Sequence, residues 1–265
     1  MGDTHRILYI SHGGGPLPVL GHAGHKEMAD NLRHLAATMP KPGAILLISA
    51  HWEESRPTAT LGSRPHLYFD YSGFPREAYE LEYPAPGDDA LAGSVGEALG
   101  AAGFACGFDA ERGFDHALFI PLMLMYPQAD VPCVELSLLK GLDPAAHIAL
   151  GEALAGVTRK DLLIIGSGFS FHNMRAFFTP DTPETRAWNA AFDAWLTETC
   201  SGPALSDAER RNRLIEWESA PHARYCHPRQ EHLLPLHVCF GAAGGSRPEA
   251  FHLEILNKKA SAFRW

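Results

Sequence analysis

The chain has 265 residues, 46% hydrophobic and 20% charged, which excludes a disordered polymer and allows one compact unit with ample apolar surface to bury. A net charge of −9, with histidine neutral, argues against a nucleic-acid or anionic-membrane surface and for a small-molecule partner. Cys106, Cys133, Cys200, Cys226 and Cys239 are an odd number, widely spread and without a C-x-x-C pair, which excludes a disulfide framework and a zinc ribbon and indicates a reducing compartment.

Met1-Gly2-Asp3-Thr4-His5-Arg6 carries no myristoylation signal and runs into an apolar strand over residues 7–11 that ends at His12. No apolar stretch approaches the roughly 18 residues of a membrane span, so the expectation is a cytoplasmic protein with no membrane contact. A Gly-Pro loop, Gly13-Gly14-Gly15-Pro16-Leu17-Pro18, leads to a helix over 26–39 with Met28, Leu32 and Leu35 on one face, ended by Pro40 and Pro42. A second strand over 44–49 precedes His51, and an irregular stretch from 53 to about 87 follows. Its Phe69, Tyr71, Phe74, Tyr79 and Tyr83 stand among prolines, and a loop that long is usually functional.

The spacing then predicts a helix over 90–102, a short strand over 104–108, a helix over 118–125 and a strand over 131–138. A helix over 144–157 precedes the most apolar strand, residues 162–165, which reads as central. Helices over 185–199, 206–217 and 235–242 and a last strand over 251–256 complete the order. Strands alternating with helices predict an α/β fold of three α/β/α layers around a mixed, mostly parallel sheet, with residues 1–265 forming a single domain.

In such a fold the carboxyl ends of the strands open into one crevice, so imidazoles delivered there converge. His12, His51 and His172 each follow an apolar run, the last through Gly166-Ser167-Gly168, and together they point to a metal. Of the other histidines, His116 follows Asp115, which can cap a helix there, and His232 has Glu231 beside it as a second donor or as a helix first-turn acid. His22 and His25 read as a solvated loop lip between Gly21 and Gly24. H-E-x-x-H, the P-loop and the G-x-S-x-G elbow are absent, and the triple glycine lacks the lysine and clean helix start of a phosphate cradle.

Taken in order, Ser11-His12-Gly13-Gly14 with Pro16, Ser49-Ala50-His51-Trp52, Phe114-Asp115-His116, Gly166-Ser167-Gly168 leading to His172-Asn173, and Glu231-His232-Leu233-Leu234-Pro235-Leu236 form a specific set. With them the chain resembles the class III extradiol ring-cleaving dioxygenases of LigB-like fold, and within them the 4,5-DOPA dioxygenase branch. Gly73-Phe74-Pro75 and Tyr83-Pro84-Ala85-Pro86-Gly87 match too, whereas Gly14-Gly15-Pro16 departs from the Ser-Pro of close members.

The resemblance implies a metal held by His12, His51 and His232, with Glu231 as the alternative third ligand. It implies His172 as acid/base or fourth ligand, His116 as a second pocket histidine, an aromatic diol, DOPA-like in that branch, and O2 as substrates, and a homodimer in some members. Ring cleavage needs a metal with free adjacent positions, which a facial set of three ligands leaves. Fe(II) is the expected metal and Zn(II) the alternative, since three imidazoles suit either. The rival readings are a zinc-dependent hydrolase on the same histidines and a metal-binding or recognition protein that keeps the fold without turnover.

Overall fold

In the computed structural model, which describes residues 5–265, β1 (Arg6–Ser11), α1 (Lys26–Thr38), β2 (Ala44–Glu54) and β3 (Thr58–Thr60) come first. The Met1–Thr4 stretch weighed for lipidation lies outside the described residues. The middle of the chain forms α2 (Asp89–Ala101), β4 (Gly107–Asp109), α3 (His116–Met125), β5 (Cys133–Leu139), α4 (Pro144–Leu154) and β6 (Leu162–Gly168). The last part forms α5 (Met174–Phe177), α6 (Pro183–Ser201), α7 (Asp207–Ile215), α8 (Ala223–Cys226), α9 (Leu234–Ala242), β7 (Glu249–Ile255) and β8 (Lys258–Arg264).

The strands make one sheet in the order β4-β3-β5-β2-β6-β1-β8-β7. β5, β2, β6 and β1 run parallel, and β8, β7 and β3 supply the antiparallel pairings, which is the mixed, mostly parallel sheet expected. β6 sits between β2 and β1 with every residue buried, which explains its uninterrupted apolar run. Successive strand residues face opposite sides, and here they identify the two helical layers. A Cβ on Gly166 would meet the Pro235 carbonyl of α9 at 2.5 Å, whereas Ser167 beside it donates to the Ala117 carbonyl of α3 at 2.6 Å.

Several helices start where short polar caps stand. Asp88, Asp115 and Asp143 accept first-turn amides of α2, α3 and α4, and Thr182 and Ser206 open capping boxes on α6 and α7. Three expectations change. β2 does not stop at Ser49 but continues to Glu54 across a register shift between Ser49 and Glu53, so His51 lies in an irregular stretch inside the strand. The chain has two further strands: β3, inside the stretch expected to be irregular, which pairs with β4 and β5, and β8, which pairs with both β1 and β7. His25 is not solvated: it is 1% exposed and its Nε2 accepts the Gly14 amide at 3.0 Å, pinning the glycine loop.

Candidate metal centre

Three elements bring imidazoles to one point above the carboxyl ends of β1, β2 and β6. His12 follows β1, His51 sits in β2, and His232 lies in the turn before α9. His51 Nε2 is 3.1 Å from His12 Nε2 and 3.2 Å from His232 Nε2. Ligands about 2.1 Å from a common ion at right or tetrahedral angles stand roughly 3.0–3.4 Å apart, so these edges fit one metal.

The outer ring nitrogens fix which nitrogen faces inward. Ser167 spends its hydroxyl proton on the Ala117 carbonyl, so its Oγ accepts from His12 Nδ1 at 3.2 Å, and His12 Nε2 keeps its lone pair. Glu231 Oε1 accepts from His232 Nδ1 at 3.0 Å with the same result for His232 Nε2. Behind His51, Asp70 Oδ2 lies 3.5 Å from Nδ1.

The backbone of His232 is held as firmly as its ring. Its carbonyl accepts from the Phe169 amide at 3.0 Å and from the buried Tyr9 hydroxyl at 2.9 Å. Burial, followed by the charge of neighbouring imidazoles, pushes His12 and His232 well below the ordinary histidine value and His51 down to about 4. At neutral pH the cluster therefore offers lone pairs rather than protons.

The other predicted site residues flank this core. His172 stacks face to face on His232, with ring centroids 3.4 Å apart and 16° between planes, and its Nδ1 is 3.3 Å from the same Glu231 Oε1. Glu231 thus stands on the Nδ1 side of both rings, away from the Nε2 edges. Burial pushes its carboxyl up, but the bond from His172, a backbone bond and the charge of Arg229 outweigh that and hold it below the usual range. His116 donates from Nδ1 to Asp70 Oδ1 at 2.7 Å and sits 4.1 Å, centroid to centroid, from His51. Donor atoms of His12, His51 and His116 lie within 4.8 Å of one another, as do those of His172, Glu231 and His232.

Sequence reasoning missed Asp70, Ser167 and Tyr9. Asp70 gave one faint signal, an acid between Phe69 and Tyr71 in a loop already read as functional. Burial raises its carboxyl, and the hydrogen bonds and charge of His116 together with the charge of His51 outweigh that and hold it below the usual carboxylate range. The centre forms the floor of a pocket of about 590 Å³, whose walls include Gly13–15 of the glycine loop and Tyr71, Ser72 and Phe74 of the long loop.

Comparisons with known proteins agree along almost the whole chain. Residues 8–263 match the family described as the catalytic LigB subunit of aromatic ring-opening dioxygenase. A dioxygenase of Hapsidospora irregularis, tasH, is 40% identical over 257 residues, covering 89% of this chain and 78% of its own. The 4,5-DOPA dioxygenase extradiol of Beta vulgaris is 37% identical over 248 residues, covering 92% and 90%. A crystal structure of an uncharacterized protein from Escherichia coli K12 superposes with a TM-score of 0.75 at 28% identity, covering 98% of this chain and 99% of that one.

Proposed function

Since this chain belongs to the family of the catalytic LigB subunit of aromatic ring-opening dioxygenases, and so is a metal-dependent extradiol dioxygenase, we propose that His12, His51 and His232 hold Fe(II) and that His172 moves the substrate's proton. The substrates of that activity are a small aromatic diol and O2, and one sheet built from both ends of the chain supports a single catalytic domain. The observation that carries the ligand set is the 3.1 Å and 3.2 Å approach of three Nε2 atoms whose outer nitrogens are all turned to a hydroxyl or carboxylate. Glu231 is the less suitable third ligand, because its carboxylate stands against the Nδ1 atoms of His232 and His172, away from the Nε2 edges that approach one another.

The iron, when bound, supplies Lewis acidity to the diol oxygens and the electrons that make dioxygen reactive. The chain does the rest. His172, 18% exposed in its side chain and lining the pocket, has Nδ1 against Glu231, which leaves Nε2 to take a proton from a ring hydroxyl and return it to the product. His116, oriented by Asp70, presents its own Nε2 to the same pocket and serves to bind the second polar atom of the substrate.

Oxygen uptake by anaerobically iron-loaded protein with a panel of catechols, beside elemental analysis, is the test. His232→Ala should lose both iron and uptake, and His172→Ala should keep its iron while kcat falls about 10²–10⁴-fold. Intact iron binding with no uptake from any catechol would overturn the reading.

A further inference from the structure

The floor of the pocket is polar, but its walls are mostly apolar. Leu17, Phe74, Met174, Phe177, Phe178 and Leu256 line it, and among its described lining residues there is no lysine or arginine. Of the nearby arginines, Arg175 stands next to Met174 but lines a separate pocket with Asp181 and Thr185 rather than this one, and two others are committed elsewhere. Arg112 is stacked between Trp52 and Tyr68 and bonded to Asp115, and Arg229 is paired with Glu53 and Glu231. His22 at the lining accepts the Gly24 amide at Nδ1, so it offers one neutral Nε2–H donor and no fixed cation. The carboxylate that faces the cavity, Asp70, is tied to His116 and would repel a second carboxylate.

Size and exposure point the same way. Even at water's share of roughly 30 Å³ per heavy atom, the eight heavy atoms of a bare catechol fill less than half of a 590 Å³ cavity. At the rim Met174 is 54% and Phe178 82% exposed, two large apolar side chains of one short segment left to solvent beside the opening. Elsewhere in the lining Gly15 admits the Phe74 ring, which a Cβ there would meet at 3.1 Å. An occupant that covers these groups gains their burial. An occupant ending in a carboxylate loses its hydration and finds no cation.

We propose that the substrate is a catechol carrying an apolar alkyl or aryl substituent, which the rim residues Met174 and Phe178 select, and that carboxylate-bearing catechols are the poorer ligands of this pocket. The proposal rests on the ring-opening reading of the centre below it.

The test compares 4-tert-butylcatechol and 3,4-dihydroxybiphenyl with 3-(3,4-dihydroxyphenyl)propionate and L-DOPA. Anaerobic calorimetry gives Kd on metal-free and iron-loaded protein, and oxygen uptake gives kcat/KM. The apolar pair should bind at least about tenfold tighter to both forms and show a similar advantage in kcat/KM. Phe178→Arg, at an exposed position where folding and iron content should hold, should narrow the gap by improving the two carboxylates. Equal or tighter binding of the carboxylates, or no change of the gap in Phe178→Arg, overturns the proposal. Oxygen uptake that favours the carboxylates defeats this inference alone. Apolar-selective binding with no uptake from any catechol supports the pocket's selectivity and defeats the ring-opening reading.

Discussion

Asp70 shows how far a single residue reaches in this site. Its Oδ1 accepts from His116 at 2.7 Å and its Oδ2 stands 3.5 Å from His51, so one carboxylate orients one imidazole and places negative charge behind a second from a different element. Asp70→Asn keeps the shape and removes the charge. Carboxylates behind ligating histidines are worth about 10–100-fold, so iron affinity or kcat should fall by that factor, read by metal titration and oxygen uptake. An unchanged affinity and rate would show that His51 and His116 need no anionic support. His12 and His172 were legible because strand ends carry their own geometric rule, and His232 because its motif is ordered with the others. Asp70 was not, because its role comes from a contact 46 residues along the chain that no local pattern encodes. Ser167 was hidden for a similar reason: inside a buried strand, its hydroxyl reads as an interruption rather than as the acceptor for His12.

At the scale of elements, glycines decide how closely layers approach. A Cβ on Gly168 at the end of β6 would stand 2.1 Å from the His232 carbonyl oxygen, the atom that also receives Phe169 and Tyr9. Gly168→Ala must therefore push the turn before α9 outward. It should cost about 1–3 kcal/mol in denaturant unfolding and weaken iron binding together. Gly93→Ala in α2, where a Cβ meets nothing within 4 Å, should instead stabilise by up to about 1 kcal/mol. A Gly168→Ala protein with unchanged stability and iron content would refute the link between strand end and ligand turn. Most elements were readable from periodicity and caps, with boundaries displaced by a few residues. β8 was not, since Lys258-Lys259-Ala260-Ser261-Ala262-Phe263-Arg264 is poor in β-branched residues and is made a strand by β1 and β7 on either side.

For the whole molecule, the buried imidazoles set the response to acid. Burial first, then local charges, brings His25, His51 and His147 to about 4 and His227 to about 3, and lowers His12, His232 and His237 as well. In the unfolded chain they titrate near 6.5, so below that pH the unfolded state binds more protons. Stability is then full above about 6.5 and lost as pH falls toward 4, by about 1.4 kcal/mol per pH unit for each proton taken up. Glu135 and Asp193, raised by burial, act in the opposite direction but are outnumbered. The Tm of metal-free protein should be flat from pH 8 to 7 and drop steeply between 6.5 and 4.5, and a level profile across that window would contradict this account. The cluster has a further property in its spacing along the chain, 39 residues from His12 to His51 and 181 from His51 to His232. Closing such loops in an open chain is entropically costly, so no chelating fragment exists before the sheet has assembled. The metal is thus a late guest that cannot template folding. It acts as a latch on the finished molecule, slowing the unfolding of loaded protein while leaving the speed of refolding to the sheet alone.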